Sequence, residues 1–235
     1  MLAIFIVILL LCFGVCQWAA GRYAQVTEDG MKERAPTAHT GAEMVKLFLA
    51  YEGVTDVEIV EHDSMASDYF DPRRRRLFLQ PRVARGTSMG AWAIALHEAA
   101  HALQTEEALG DLKWRQTVIR LNRYGPIFGL LGVVGMIFLR FPPRFAVAGL
   151  VAVCVMLLLL NIGTLAVEYN ANARLRKFIE KHLQRFPDAQ DRLSSHLSRV
   201  ALKEVGDLLR SPRYFFFSAL PGSGKIRPVK PVDES

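Results

Sequence analysis

The chain has 235 residues, 51% of them hydrophobic and 22% charged, with a mean hydropathy of +0.18. That length leaves room for one small domain plus membrane helices and excludes a multidomain machine, and so apolar a composition excludes a disordered chain. The net charge of +6 narrows the partners to an anionic membrane surface or nucleic acid, and the three cysteines (Cys12, Cys16 and Cys154), all inside apolar runs, exclude a disulfide framework or a zinc-finger spacing.

Residues 1–20 are apolar except for Gln17. Twenty helical residues cover a bilayer core of about 30 Å. The segment lacks a basic start, and bulky Trp18 spoils a small-residue cleavage site, so a retained anchor is expected rather than a signal peptide. Residues 22–90 read as a compact α/β piece. Thr40–Tyr51 has helical periodicity with Met44, Leu47, Phe48 and Tyr51 on one face, and Thr40 with Glu43 fits a capping box. Val57–Val60 alternates as a short strand, Asp68–Pro72 is turn chemistry, and Leu77–Leu79 is a second strand, an edge on which an extended substrate could pair. Arg73–Arg76 precedes that strand. A run of four arginines without interleaved aromatics reads as a solvated or membrane-facing edge, and no nucleic acid is expected.

The chemistry lies in Ala95–Gln104, which reads A-L-H-E-A-A-H-A-L-Q. On a helix His97 and His101 are one turn apart and project from one face, so two imidazoles can hold one zinc ion. Glu98 projects beside them, where it can take a proton from a water that zinc has acidified to a pKa of about 7. The pattern is short and occurs by chance. Two surface histidines would fit poorly in so Ala/Leu-rich a stretch, however.

Two further apolar blocks, 127–139 and 145–167, flank Arg140-Phe141-Pro142-Pro143-Arg144 and read as a membrane hairpin broken at the double proline. Fourteen Lys and Arg fall in 22–126, two between these blocks and thirteen after Val167. The positive-inside rule puts both basic segments on the cytoplasmic side of the cell membrane, with the N-terminus and the hairpin turn opposite. The chain then continues as a polar helix to about Leu209. An aromatic cluster at Tyr214–Phe217 and a Gly/Pro-rich, disordered tail follow, in which Gly222–Lys225 is too incomplete for a phosphate loop.

A catalytic zinc needs a third protein ligand. The extended motif that would supply a third histidine is absent, since Gln104 and Glu107 stand at its glycine and histidine positions. Glu106, Glu107 and Asp111 would have to bend back to the metal. Glu168 directly follows the third apolar block, on the same side of the membrane as the histidines by the charge count. It is the expected ligand, against the alternative of a carboxylate paired with Arg174 at the interface. Asn172, one turn on, can bond a ligand histidine.

With these residues in place, the chain resembles the YugP-type membrane zinc metallopeptidases, also described as neutral zinc metallopeptidases, over about residues 1–182. The likeness rests on the N-terminal helix, Thr40-Gly41-Ala42-Glu43, Asp68-Tyr69-Phe70-Asp71-Pro72, the His97–His101 motif continuing to Gln104, the hairpin, and Val167-Glu168-Tyr169-Asn170-Ala171. The order of parts is also similar to HtpX-type and prenyl-endopeptidase membrane proteases, whose usual Asp is here Asn172. Ala100 stands where the family often has Gly, and the charged C-terminal region argues against a fourth span. The resemblance implies peptidase activity on membrane or membrane-proximal proteins. The expected molecule is a mainly α membrane protein with an anchor at 1–20, a small α/β zincin-like catalytic part at 22–123, a hairpin at 124–167, a helical segment at 168–210 and the cluster and tail at 211–235. It takes one Zn²⁺ per chain, held by His97, His101 and Glu168, with Glu98 as general base. Tyr69, or an Arg or His near the cleft, is left to stabilise the oxyanion. The rival readings are a silent membrane scaffold and a structural zinc protein. The latter leaves Glu98 without a task and lacks the usual cysteines.

Overall fold

The computed structural model describes residues 2–63, 67–104, 106–208 and 226–229. They form a mainly helical membrane protein in two compact units, one built from 2–23, 108–167 and 202–208, the other from 24–107, 168–201 and 226–229. The aromatic cluster expected at 214–217 lies outside the described residues.

In the first unit α1 (Leu2–Gln25) runs past the expected end of the anchor, and residues 3–30 have the length and hydropathy of a membrane span. The hairpin is α5 (Glu106–Phe138) followed by α6 (Pro143–His182). The short second apolar block is thus extended upstream, as one arm of a helix bent by 42° between Asn122 and Tyr124. Pro126 is the cause, for it cannot bond the Asn122 carbonyl and its ring crowds that group. At the turn Arg140 takes a left-handed conformation, φ +58°. The amides of Arg140 and Phe141 close back on the carbonyls of Ile137 and Met136, the pattern that ends helices at a glycine. Pro143 then opens α6 at the first-turn position where a missing N–H costs nothing.

Lipid is as apolar as leucine, so the hairpin needs close packing and polar clasps to hold it. Gly125 and Gly129, one turn apart, face Leu157 and Val153, and a methyl group on either glycine would come within 3.0 Å of those side chains. Deeper in, Asn122 and Asn161 bond each other's amides reciprocally, with Asn161 Nδ2 at 2.9 Å from Asn122 Oδ1 and 2.7 Å from the Leu157 carbonyl. Thr164 donates to the Asn161 carbonyl at 2.7 Å. The two polar residues of the third apolar block are therefore fully enclosed and partnered. In α8 (Lys203–Asp207), Glu204 meets buried Arg115 at 3.5 Å.

The second unit is built around α4 (Met89–Ala100), which carries the histidines. The capping box forms at the start of α2 (Gly41–Tyr51), with the Glu43 carboxylate 2.6 Å from the Thr40 amide. Its buried face is Met44, Val45, Phe48 and Leu49, while Leu47 and Tyr51 are exposed, so the apolar stripe is rotated from the expected one. Tyr51 is held at the margin by Phe178 and by the Lys181 ammonium, 4.9 Å over its ring.

Four short strands make a mixed sheet in the order β2–β3–β1–β4. They are β1 (Glu58–His62), β2 (Tyr69–Asp71), β3 (Arg76–Leu79) and β4 (Ile226–Pro228). Three expectations change here. The stretch read as turn chemistry contains β2, because Phe70 is buried opposite Leu77 and Tyr69 stacks on Phe78 with centroids 4.9 Å apart. β3 lies between β2 and β1, so both of its edges are used and it cannot receive a substrate strand. Residues 226–228, expected in a disordered tail, pair antiparallel with β1. The Arg run, expected as a solvated or membrane-facing edge, is exposed at Arg73 and Arg74, while Arg75 and Arg76 pair within the unit. Arg75 grips Asp56 with two bonds of 2.8 and 2.7 Å, Arg76 meets Glu58 at 2.6 Å, and Asp71 caps the turn between β2 and β3. After β3, α3 (Pro81–Ala84) leads to Ser88, whose hydroxyl accepts the Ala91 amide at the head of α4.

Replacing Asn161 by Leu is expected to cost about 1 kcal/mol, because Asn122 loses its partner in apolar surroundings. A further Asn122→Leu is expected to recover most of that loss. Thermal unfolding in detergent of the single and double variants decides it, and a double variant weaker than the single one contradicts the clasp.

Candidate metal centre

All twelve residues of α4 are buried. Alanine at 91, 93, 95, 99 and 100 keeps the helix thin enough for α2, α3, the sheet and α7 (Pro187–Val200) to close on it. Near its start it crosses the π-helical turn Val26–Gly30 backbone to backbone, and a methyl group on Gly90 would lie 2.6 Å from the Val26 carbonyl oxygen. Trp92 pins the other side by donating its indole N–H to the His39 carbonyl at 2.7 Å.

His97 and Glu98 lie in the last turn of α4, and His101 opens the tighter turn His101–Leu103. The two imidazoles meet edge to face, 5.2 Å between centroids. Glu168, on α6, arrives at the same point, with Oε2 2.9 Å from His97 Nε2 and 3.4 Å from His101 Nε2. One ligand atom from each of the three lies within 4.8 Å of the others, and each side chain is only 1% exposed. Glu98 is completely buried. The side chains of Glu106, Glu107 and Asp111 fall outside the described residues.

The other ring nitrogens face amide oxygens. His97 Nδ1 is 2.8 Å from Asn172 Oδ1, and the Asn172 amide is oriented by its own donation to the Leu197 carbonyl at 2.9 Å. His101 Nδ1 is 3.0 Å from Gln104 Oε1, and Gln104 Nε2 donates to Asn170 Oδ1 at 3.4 Å. An amide oxygen only accepts, so Nδ1 of each ring is a donor, and Nε2, which faces Glu168, offers its lone pair whenever the ring is neutral. Two lone pairs and a carboxylate gathered out of water repel unless a proton or a metal ion sits among them. His101 Nε2 is buried without a hydrogen bond. Two imidazole nitrogens and a carboxylate are a donor set that zinc accepts, with room for a fourth ligand, so the residues fit that ion.

Arg174, the alternative partner for Glu168, bonds Asn170 instead, Nε to Oδ1 at 3.2 Å. Tyr69, a candidate for the oxyanion, has its ring engaged on Phe78. Gln104 was not singled out as a partner of His101, although it stands within the motif. Arg75, whose guanidinium donates to the Ala102 carbonyl at 3.1 Å just beyond His101, had no sequence signal at all.

Comparisons with known proteins also point to zinc. The chain matches the family described as "Putative neutral zinc metallopeptidase" over residues 2–211. It is 27% identical over 219 residues to "Putative membrane protease YugP" of Bacillus subtilis (strain 168), covering 88% of this chain and 92% of that protein. No solved structure matches it.

Burial alone disfavours charge on His97, but the Glu168 bond and charge, with Glu98 and Asn172 behind them, outweigh it and raise its pKa above the ordinary value. Without metal, the stability this protonated pair contributes is complete below about 6.5, the unfolded value, and is lost as the pH rises through the raised one. Zinc competes with that proton. The gain in melting temperature on adding zinc is therefore expected to grow as the pH rises from about 6 through that raised value. Melting curves with zinc and with chelator across that range check the sign, and a gain that shrinks with pH contradicts it.

Proposed function

The chain belongs to the neutral zinc metallopeptidase family, and from that premise we propose that it is a membrane-anchored, zinc-dependent endopeptidase acting on membrane or membrane-proximal proteins. The observation that carries this reading is the convergence of both Nε2 atoms on the Glu168 carboxylate, with both Nδ1 positions committed to amide oxygens. A carboxylate next in sequence to a ligand histidine has no part in a purely structural site, and Glu98 is buried there with its charge acting on His97.

His97, His101 and Glu168 would hold the zinc. When bound, zinc supplies a Lewis acid that polarises the scissile carbonyl and acidifies water. Glu98 accepts the proton of the attacking water and returns it to the leaving amine. Asn172 and Gln104 keep the ligand rings in the tautomer that leaves Nε2 for the metal. The Glu168 carboxylate, enclosed with both histidines, offsets part of the ion's charge. β2 packs against α4 and pairs only with β3 among the described residues, so its outer edge takes the substrate-pairing role that β3 cannot. The distribution of Lys and Arg puts the catalytic side in the cytoplasm.

The test is zinc content and peptide-library cleavage of detergent-purified protein. Wild type and Glu98→Gln are expected to hold one zinc each, and Glu168→Ala to lose it. Glu98→Gln is expected to lower cleavage by at least about 100-fold. Undiminished cleavage by Glu98→Gln removes the general base. A wild type that takes up no zinc on reconstitution removes the peptidase reading altogether.

A further inference from the structure

We infer that Arg174 and Asn170, acting through the Gln104 amide, decide which nitrogen of His101 carries the proton and so keep Nε2 available to the metal. The inference rests on the zinc reading above and adds positioning residues to it.

The argument follows the polarity of one chain of hydrogen bonds. A guanidinium can only donate. Arg174 Nε–H donates to Asn170 at 3.2 Å, so the atom it meets must be the amide oxygen, Oδ1. That oxygen can only accept, and at 3.4 Å it takes the Nε2–H of Gln104. The Gln104 amide is thereby turned with Oε1 toward His101, 3.0 Å from Nδ1. An oxygen there requires the proton on Nδ1, and a neutral imidazole has no second one for Nε2. A half-turn of the Gln104 amide changes almost nothing sterically. It would set an NH₂ group against Nδ1, move the ring proton to Nε2 and close the metal position. Only the bonding partners of the amide select between the two orientations.

For His97 the same choice is made by backbone, since the Leu197 carbonyl on α7 takes the NH₂ of Asn172. For His101 it is made by two side chains one turn apart on α6, and Asn170 is exposed. A surface residue thus sets the chemistry of a buried ring. Asn170 contributes little apolar burial, so its replacement leaves the fold intact.

The test is zinc affinity of the full-length, detergent-purified protein, measured by competition with a chromophoric chelator. Asn170→Leu is expected to weaken zinc binding about tenfold, the lower range for groups that orient a ligand. Asn170→Asp, which keeps an acceptor for both Arg174 and Gln104, is expected to retain wild-type affinity. The deciding background is Gln104→Glu, because a carboxylate presents oxygen to His101 in either orientation. There Asn170→Leu is expected to change nothing. An unchanged affinity for Asn170→Leu alone overturns the inference and leaves the zinc site standing, as does an equal loss in both backgrounds, which would mark Asn170 as merely structural. Wild type without zinc removes the zinc reading, and this inference with it.

Discussion

An imidazole can be buried in neutral form only if its N–H finds an acceptor and its bare nitrogen finds a donor or a cation. Here two such rings and a carboxylate share one dry volume, and the rest of the second unit follows from satisfying them. α6 supplies Glu168, Asn170 and Asn172 from little more than one turn. α7 supplies a carbonyl that holds Asn172. Arg75 reaches from the β2–β3 turn to the carbonyl of Ala102, just where the helix tightens and its own amides no longer serve. Each contact is modest, at about 1 kcal/mol. Together they leave the three Nε2 and Oε2 atoms with one another as neighbours.

The first unit meets a different constraint. Inside a bilayer, apolar side chains gain nothing by leaving lipid for one another, so helices are held by how closely they approach and by polar groups that hydrocarbon would strand. Gly125 and Gly129 provide the approach, and the Asn122–Asn161 clasp provides the polar hold. The Pro126 bend sits one turn from that clasp, so the carbonyl freed by proline belongs to a residue whose side chain is already fixed.

Local patterns were legible in the sequence where one residue type has one physical use. The capping box needs only Thr40 and Glu43, the hairpin only two apolar runs and two prolines, and the histidine pair only the spacing of one helical turn. Glu168 was legible through chain order, since a carboxylate that follows the second arm of a membrane hairpin is back on the face where the first arm began. Gln104 was not. Its place over His101 comes from the tight turn His101–Leu103, where residues three apart eclipse one another, and no propensity marks that change of winding. Arg75 and the interior position of β3 escaped for a related reason. Both depend on long-range pairing, which periodicity along the chain does not carry. The rotation of α2 reflects a helix covered on two sides, by α4 and by Phe178, rather than on one.

A helix enclosed on every face also limits how such a chain can diversify. Enlarging any of the alanines at 91, 93, 95, 99 or 100 overpacks the interior at about 1–3 kcal/mol each. Set against a total stability of about 5–15 kcal/mol, two or three such changes use up the margin. Descendants of this chain therefore have little freedom to retune selectivity through the residues next to the histidines. The freedom lies in the turn that follows β2, where Arg74 is exposed and a new side chain largely displaces water.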